Sequence, residues 1–147
     1  MRDREAIQLV FQLKQQCDLI EEGLRSSLEL SAAEFQVLRL VGAESLSCGD
    51  YAARTGRSAS RVTRVVDGLV ERGLVNRVAG ADRRTMMLEL TEAGRVLQAE
   101  IIACETACDR RLRERLGRGA YAEAVRVLGR LVEETADAAA ITGSDAG

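Results

Sequence analysis

The chain has 147 residues, 46% hydrophobic and 30% charged, so it can bury a core and is not a disordered polypeptide. Aromatic residues make up only 3%, which argues against the stacking platforms that bind single-stranded nucleic acids. The net charge of −2 is unevenly distributed, because residues 51–84 hold eight arginines and three acidic residues, a local charge of +5 that leaves −7 elsewhere. Such a basic region favours a DNA partner, and a solvated arginine-rich surface is the alternative.

Several classes of protein are disfavoured by what the sequence lacks. No apolar stretch approaches the roughly 20 residues of a membrane span, and no secretory signal is visible, so we expect no membrane partner and a cytoplasmic location. There is no histidine, which excludes His-containing zinc sites. Glycine-rich phosphate loops, nucleophile elbows and metal-ligand clusters are also missing, so we expect no enzyme, no metal and no cofactor.

The first 30 residues predict one long helix. Its apolar residues recur at alternating spacings of three and four, which is a narrow seam of the kind that contacts a partner chain. The seam consists of Val10, Leu13, Cys17, Ile20 and Leu24. A second helix follows, and Ser31 with Glu34 forms the capping box that marks its start.

The next two helices have the pattern of a helix-turn-helix. Ser47 opens a short third helix, Gly56 lies in the turn, and Ser58 caps a fourth helix over residues 59–72. One side of the fourth helix is an apolar stripe, made of Val62, Val65, Val66, Leu69 and Val70. The other side is short, cationic and hydrogen-bonding, and therefore suits the DNA major groove.

A basic hairpin follows the fourth helix. Residues 74–78 and 85–90 predict two strands, and the turn between them contains Gly80. Asp82, Arg83 and Arg84 lie at its tip. A recognition helix followed by such a hairpin is the winged form of the helix-turn-helix.

Two long helices complete the chain. Thr91 caps the fifth, in which Leu97, Ile101, Cys104, Cys108 and Leu112 share one face. The sixth covers about 120–140. We therefore predict a mainly α fold with a small β-hairpin wing: a winged helix-turn-helix at 31–90, dimerisation helices at 1–30 and 91–140, and a flexible tail at 141–147. A homodimer would present two recognition helices to two DNA half-sites.

Residues 82–95, with the sequence DRRTMMLELTEAGR, resemble the wing and wing exit of the MarR/SlyA family of transcriptional regulators. Residues 61–75 and 30–38 are similar to its recognition helix and second helix. The resemblance implies a homodimer on a roughly palindromic double-stranded DNA operator, usually a repressor, released by a small organic effector or by oxidation. It also implies that Arg84 enters the minor groove and Asp82 holds the wing. An effector pocket would involve the first, second and fifth helices.

The predicted DNA contacts lie on the helix-turn-helix and the wing. They are Arg54, Arg57, Ser58, Ser60, Arg61, Thr63, Arg64, Arg77, Asp82, Arg83 and Arg84. We expect Arg61 and Arg64 to reach base edges, and Arg77 and Arg83 to contact phosphates. Solvated surface charge is the alternative for each arginine, and Arg84 also has Asp82 as a local partner. The alternative function is a winged-helix interaction module, an adaptor or antirepressor that does not bind DNA.

The cysteines are effector or redox candidates. Cys104 and Cys108 lie one helical turn apart, Cys17 lies on the first seam, and Cys48 begins the third helix, where a helix N-terminus lowers a thiol pKa. A bridge within one helical turn would be strained, so a link between chains is the more favourable redox form. The alternative is that the cysteines are small core hydrophobes.

Overall fold

The computed structural model describes residues 4–42 and 45–144 of the chain. Helices and short strands alternate in an order that matches the predicted mainly α fold with a small wing. The elements are α1 Glu5–Ser27, α2 Ala32–Leu40, β1 Leu46–Ser47, α3 Cys48–Thr55, α4 Ala59–Glu71, β2 Val75–Ala79, β3 Met86–Leu90, α5 Glu92–Leu116 and α6 Arg118–Ser144. Contacts divide the chain into two compact units, Met1–Cys104 and Glu105–Gly147, and the division falls within α5.

The first helix buries none of its residues in the first unit. It ends three residues before the predicted limit, because Glu29 adopts a left-handed conformation with φ of 56°. Along its length large apolar side chains are exposed to solvent, including Leu9, Phe11 and Leu19, at 58%, 64% and 57%. Of the predicted seam, Leu13, Cys17 and Ile20 are exposed, whereas Val10 and Leu24 are half-buried and Leu24 packs against the core of the first unit.

Serine caps fix the starts of the three helices of the helix-turn-helix. Ser31 and Glu34 form the predicted capping box of α2, with the Glu34 N–H donating to Ser31 Oγ over 3.2 Å. Ser47 and Asp50 form a second capping box at α3. Ser58 accepts from the Arg61 N–H at the start of α4, and Gly56 makes the preceding turn with φ of 63°. Local hydrogen bonding thus sets the short connection between α3 and α4.

The sheet has one strand more than the predicted hairpin. Its three antiparallel strands lie in the order β1-β3-β2, with Leu46 opposite Leu88 and Val75 opposite Leu90. The third strand, β1, is Leu46–Ser47, so Ser47, which the sequence predicts only as the start of α3, also pairs in the sheet. It connects the helix-turn-helix to the wing through β3.

The start of α5 is fastened to the connection between α4 and β2. Thr91 Oγ1 donates to the Gly73 carbonyl over 2.6 Å and accepts from the Gly94 N–H over 3.1 Å. The Thr91 N–H donates to the Leu74 carbonyl over 3.1 Å. A Cβ added at Gly94 would lie 2.0 Å from that carbonyl oxygen, so this close approach requires glycine.

One hydrophobic core unites these elements. It is composed of side chains from α2, α3, α4, the sheet and the beginning of α5, and includes Phe35, Leu38, Tyr51, Val62, Val66, Leu69, Val75, Leu88 and Ile101. The buried members of α4 are three of the five predicted stripe residues, and Val65 and Val70 pack at the edge. The predicted stripe of α4 is therefore the side that faces the core.

The second unit contains the end of α5 and all of α6. Gly117, with φ of 79°, separates the two helices. Across this corner the Tyr121 hydroxyl donates to Asp109, which also pairs with Arg113 at 2.8 Å, and the Arg113 guanidinium lies 4.9 Å from the Tyr121 ring centroid. Since α6 continues to Ser144, it includes residues 141–144 of the predicted tail, and residues 145–147 lie outside the described part.

Candidate DNA-binding surface

The outer side of α4 presents a row of polar and cationic side chains. Arg61 and Arg64 are exposed on the side opposite the buried Val62 and Val66, and neither forms an ion pair with a residue that the structure describes. Ser58, Ser60 and Thr63 are exposed beside them, and Ser58 Oγ lies 3.3 Å from Ser60 Oγ. A helix start with unneutralised guanidinium groups and hydroxyls matches the donors that read base edges in a major groove.

The wing tip is organised by Asp82. Its Oδ1 accepts from the Arg84 backbone N–H over 3.1 Å, and its carbonyl accepts from the Thr85 N–H over 3.0 Å. Asp82 is thus engaged with the backbone of the turn, which leaves the exposed side chains of Arg83 and Arg84 without an ion pair inside the described part of the chain. Such a turn holds the backbone while its arginines project into solvent.

Arg77 differs from the other predicted contact residues. It lies on β2 and donates to Asp67 of α4 over 2.6 Å, and this bond is the main cause of its raised pKa. Cys48 makes a smaller contribution to the same rise in the Arg77 pKa. Arg77 therefore connects the wing to α4, and a phosphate would have to share this guanidinium with Asp67.

The two remaining arginines lie before α4. Arg54 is exposed in the last turn of α3, where it contributes to the lowered pKa of Asp50, of which the main cause is the hydrogen bond from the Ser47 N–H. Arg57 is exposed in the turn itself. The structure thus places Arg57 directly before the polar side of α4, as a surface contact requires.

Two contacts have no signal in the local sequence, and both lie in the lobe formed by α2 to β3 and the first turns of α5. Gln98 of α5 donates to the Leu38 carbonyl over 2.9 Å and also to the Val41 carbonyl, and so closes the end of α2. Glu34, recognised as a capping residue, also pairs with Arg72 at 3.2 Å and ties α2 to the end of α4. Their partners are distant in sequence, so spacing rules do not predict them.

The four cysteines form no disulfide within the chain. Cys17 is exposed on α1, whereas Cys48, Cys104 and Cys108 are half-buried, and Cys48 packs against the core. The partial burial of these three cysteines agrees with the interpretation that they are small packing residues. A redox role for the cysteines stays a prediction.

A cavity of about 460 Å³ lies within this lobe. Its described lining consists of Gly42, Ser45, Leu88, Glu89, Leu90, Arg95 and Gln98. It thus involves the end of α2 and the beginning of α5, as the expected effector pocket does, but β3 replaces α1 in the described lining. Over residues 4–42 and 45–144 no group of acidic and cysteine side chains is arranged to hold a metal ion. In the same part of the chain no helix is both long and apolar enough to cross a membrane.

Comparison with known families gives a match over the helix-turn-helix and most of the wing. Residues 28–85 match the family model described as MarR family. This segment runs from the approach to α2 through the wing tip. No protein of curated function matches the sequence.

Solved structures share the fold over nearly the whole chain. The reduced form of MarR from E. coli is 23% identical with a TM-score of 0.68, and the alignment covers 84% of this chain and 93% of that one. FabT from Streptococcus pneumoniae, solved in complex with DNA, is 20% identical with a TM-score of 0.79, covering 91% and 97%. The transcriptional regulator BldR from Sulfolobus solfataricus is 24% identical with a TM-score of 0.64, covering 91% and 99%. At these identities the likeness concerns the fold.

Proposed function

The chain belongs to the MarR family through its residues 28–85, and from this premise we propose that it is a sequence-specific regulator of transcription that binds double-stranded DNA. The family is one of transcription factors rather than enzymes. The match confirms the resemblance seen in the sequence. The observation that carries the proposal is the exposed row on α4, in which Arg61 and Arg64 project away from the core without ion-pair partners among the described residues.

In the proposed complex, α4 lies in the major groove and the wing reaches the adjacent minor groove. Base edges are contacted by Ser60, Arg61, Thr63 and Arg64. Near the start of α4, Ser58 contacts the DNA backbone. Arg84 enters the minor groove while Asp82 keeps the turn in shape. The other contacts to the DNA backbone come from Arg54, Arg57, Arg77 and Arg83.

A homodimer supplies the second recognition helix. Support comes from the apolar side chains that α1 exposes in the first unit, and from those that α5 and α6 expose in the second, such as Leu112, Val125 and Val132, at 55%, 54% and 68%. A second copy would remove this apolar surface from water. Twofold symmetry then requires a roughly palindromic operator, with half-sites about one helical turn or a multiple of it apart. Sedimentation equilibrium tests this proposal, and a monomer at micromolar concentration would contradict it.

We propose repression as the mode of action, with release by a small organic effector or by thiol oxidation. The cavity of about 460 Å³ supports release by an effector, because Gln98, which holds the end of α2, lies in its wall. The second route is supported by the four unbridged thiols. Operator binding measured with and without peroxide, for the wild type and for serine variants of Cys17, Cys48, Cys104 and Cys108, separates the routes. Loss of binding only in proteins that keep a given thiol would identify oxidation.

The decisive experiment measures the affinity for DNA upstream of the protein's own reading frame by fluorescence anisotropy. We expect Arg64→Ala to weaken binding by roughly 1–3 kcal/mol if the side chain reads a base, and Arg84→Ala to weaken it as well. Arg95→Ala is the matched control, because Arg95 is also exposed but lies on α5 and pairs with Glu92 at 3.8 Å. The wild-type affinity should fall steeply with salt. Absence of wild-type binding at low salt would favour the interaction module instead.

A further inference from the structure

The exposed row on α4 contains an acidic residue, Asp67, that is not among the predicted DNA contacts. Asp67 follows Arg64 by three residues and Thr63 by four, and side chains at these spacings are neighbours on one side of a helix. The Asp67 side chain is 55% exposed, whereas the preceding residue, Val66, is fully buried. The row that we assign to the major groove, which begins at Ser60, therefore continues to Asp67.

An acidic side chain in this row is unexpected, because DNA phosphates repel it. The ion pair with Arg77 of β2, at 2.6 Å, offsets the repulsion, since the carboxylate meets the DNA beside a positive charge. The same contact holds the side chain, because Asp67 Oδ1 accepts a hydrogen bond from the Arg77 guanidinium. The second oxygen, Oδ2, accepts no hydrogen bond from residues 4–42 and 45–144, and so remains free to accept one from a ligand.

A free carboxylate oxygen in the major groove selects for one base. An ionised carboxylate only accepts hydrogen bonds. Guanine presents the acceptors N7 and O6, thymine presents the acceptor O4, and adenine presents the acceptor N7 beside its amino group, so each of these bases repels a carboxylate. Cytosine presents only its N4 amino donor. Cytosine is therefore the base that Asp67 Oδ2 binds without repulsion.

We propose that Asp67 is a specificity-determining residue of the DNA-binding surface, and that its Oδ2 accepts a hydrogen bond from N4 of one cytosine in each half-site. This inference rests on the proposed function and adds to it one base of the operator. Arg77 is a positioning residue for this contact. It restricts the Asp67 side chain before the DNA arrives, which reduces the conformational entropy that binding costs.

Selection from a pool of random double-stranded DNA, followed by sequencing, tests the proposal without knowledge of the operator. For the wild type we expect one position in each half-site to favour cytosine by roughly five- to tenfold, the lower part of the range for direct readout, because the contact is a single hydrogen bond. Asp67→Ala should remove this preference and leave the other positions of the selected sequence unchanged. A selected sequence without such a cytosine, or a cytosine preference that survives Asp67→Ala, would overturn the proposal.

Asp67→Asn should change the preferred base instead of removing the preference. An amide has a donor as well as an acceptor, and asparagine pairs with both N6 and N7 of adenine. We therefore expect the position that favours cytosine in the wild type to favour adenine in this variant. The loss of a negative charge raises the affinity for every sequence, so the ratio between bases is measured rather than the Kd alone. An unchanged ratio of cytosine to adenine would count against direct readout by Asp67.

Two further variants separate base readout from charge. Glu92→Gln removes one negative charge at the start of α5, where the side chain is 89% exposed, and should leave every base preference unchanged. Loss of the cytosine preference in this variant would show that charge alone sets it, and would overturn the proposal.

Arg77→Ala should weaken the cytosine preference without abolishing it, because the carboxylate remains but is no longer held. An undiminished preference would overturn the role assigned to Arg77. A wild type that selects no sequence from the pool would refute the proposed function itself, whereas a selected sequence that Asp67→Ala leaves unchanged would refute only the readout by Asp67.

Discussion

The substitution Gly94→Ala should destabilise the protein, because the backbone at the start of α5 packs too closely against Leu74 to admit a methyl group. The added methyl carbon would lie 2.0 Å from the Leu74 carbonyl oxygen and 3.1 Å from the Leu74 carbonyl carbon. Carbon and carbonyl oxygen do not normally approach closer than about 3.3 Å, so α5 and the α4–β2 connection must move apart by more than about 1 Å. The obstacle is backbone on both sides, so no side chain can rotate to relieve it.

The magnitude follows from what that movement breaks. Overpacking of a well-packed contact costs about 1–3 kcal/mol. Separation also strains the Thr91 hydrogen bonds to Gly73 and Leu74, each of which contributes about 1 kcal/mol. We therefore expect the free energy of unfolding to fall by about 3–5 kcal/mol, a large share of the roughly 5–15 kcal/mol that a domain has.

Urea denaturation at fixed protein concentration measures the change, and Gly68→Ala is the matched control. Gly68 is also a helical glycine, inside α4, but the nearest atom to an added Cβ is Glu34 Oε1 at 3.9 Å, an ordinary contact. Its substitution should stabilise the protein by about 0.5–1 kcal/mol through helix propensity. Equal stability of Gly94→Ala and the wild type would refute the reasoning that this glycine is required by a backbone contact.

Two further predictions concern charge. Asp67→Asn should lower the free energy of unfolding by only about 0.5 kcal/mol, since both partners are partly exposed, at 28% for Arg77 and 55% for Asp67. By releasing Arg77 it should also increase the affinity for DNA and steepen the dependence of that affinity on salt. Unchanged salt dependence would show that Arg77 does not contact phosphate. The lowered pKa of Asp50 means that its capping box stabilises the protein at neutral pH and loses this effect as the carboxylate is protonated in acid. Asp50→Ala should therefore destabilise the protein at pH 7, and this difference should shrink as the pH falls through the lowered pKa of Asp50, as measured by denaturation across the pH range. A difference that persisted undiminished in acid would contradict the assignment.

The local chemistry of the helix starts was predictable from the sequence. Ser31, Ser47, Ser58 and Thr91 each accept a backbone hydrogen bond within three residues, so the signal and its partner lie in one short window. The apolar stripe of α4 was predictable for a similar reason, because its period is that of the helix. These features were enough to locate the fold and the exposed row on α4.

Features that depend on distant partners were not predictable. The strand β1 has two residues, too few for a periodic pattern, and it exists because β3 pairs with it. Gln98 closes the end of α2 from 57 and 60 residues away, and its own neighbours give no indication of this. The pairing of Arg77 with Asp67 likewise arises from the packing of β2 beside α4.

The fastening of α5 has a consequence for protein engineering. The first turns of α5 are held by Thr91 and Gly94 at one point and by Gln98 at another, and Ile101 is fully buried in the same core. These turns belong to the lobe, although the sequence predicts a boundary at residue 91. A chimera that joins this lobe to foreign arms should therefore exchange the chain after Cys104, because an exchange at residue 91 would discard both attachments and the buried side chain that accompanies them.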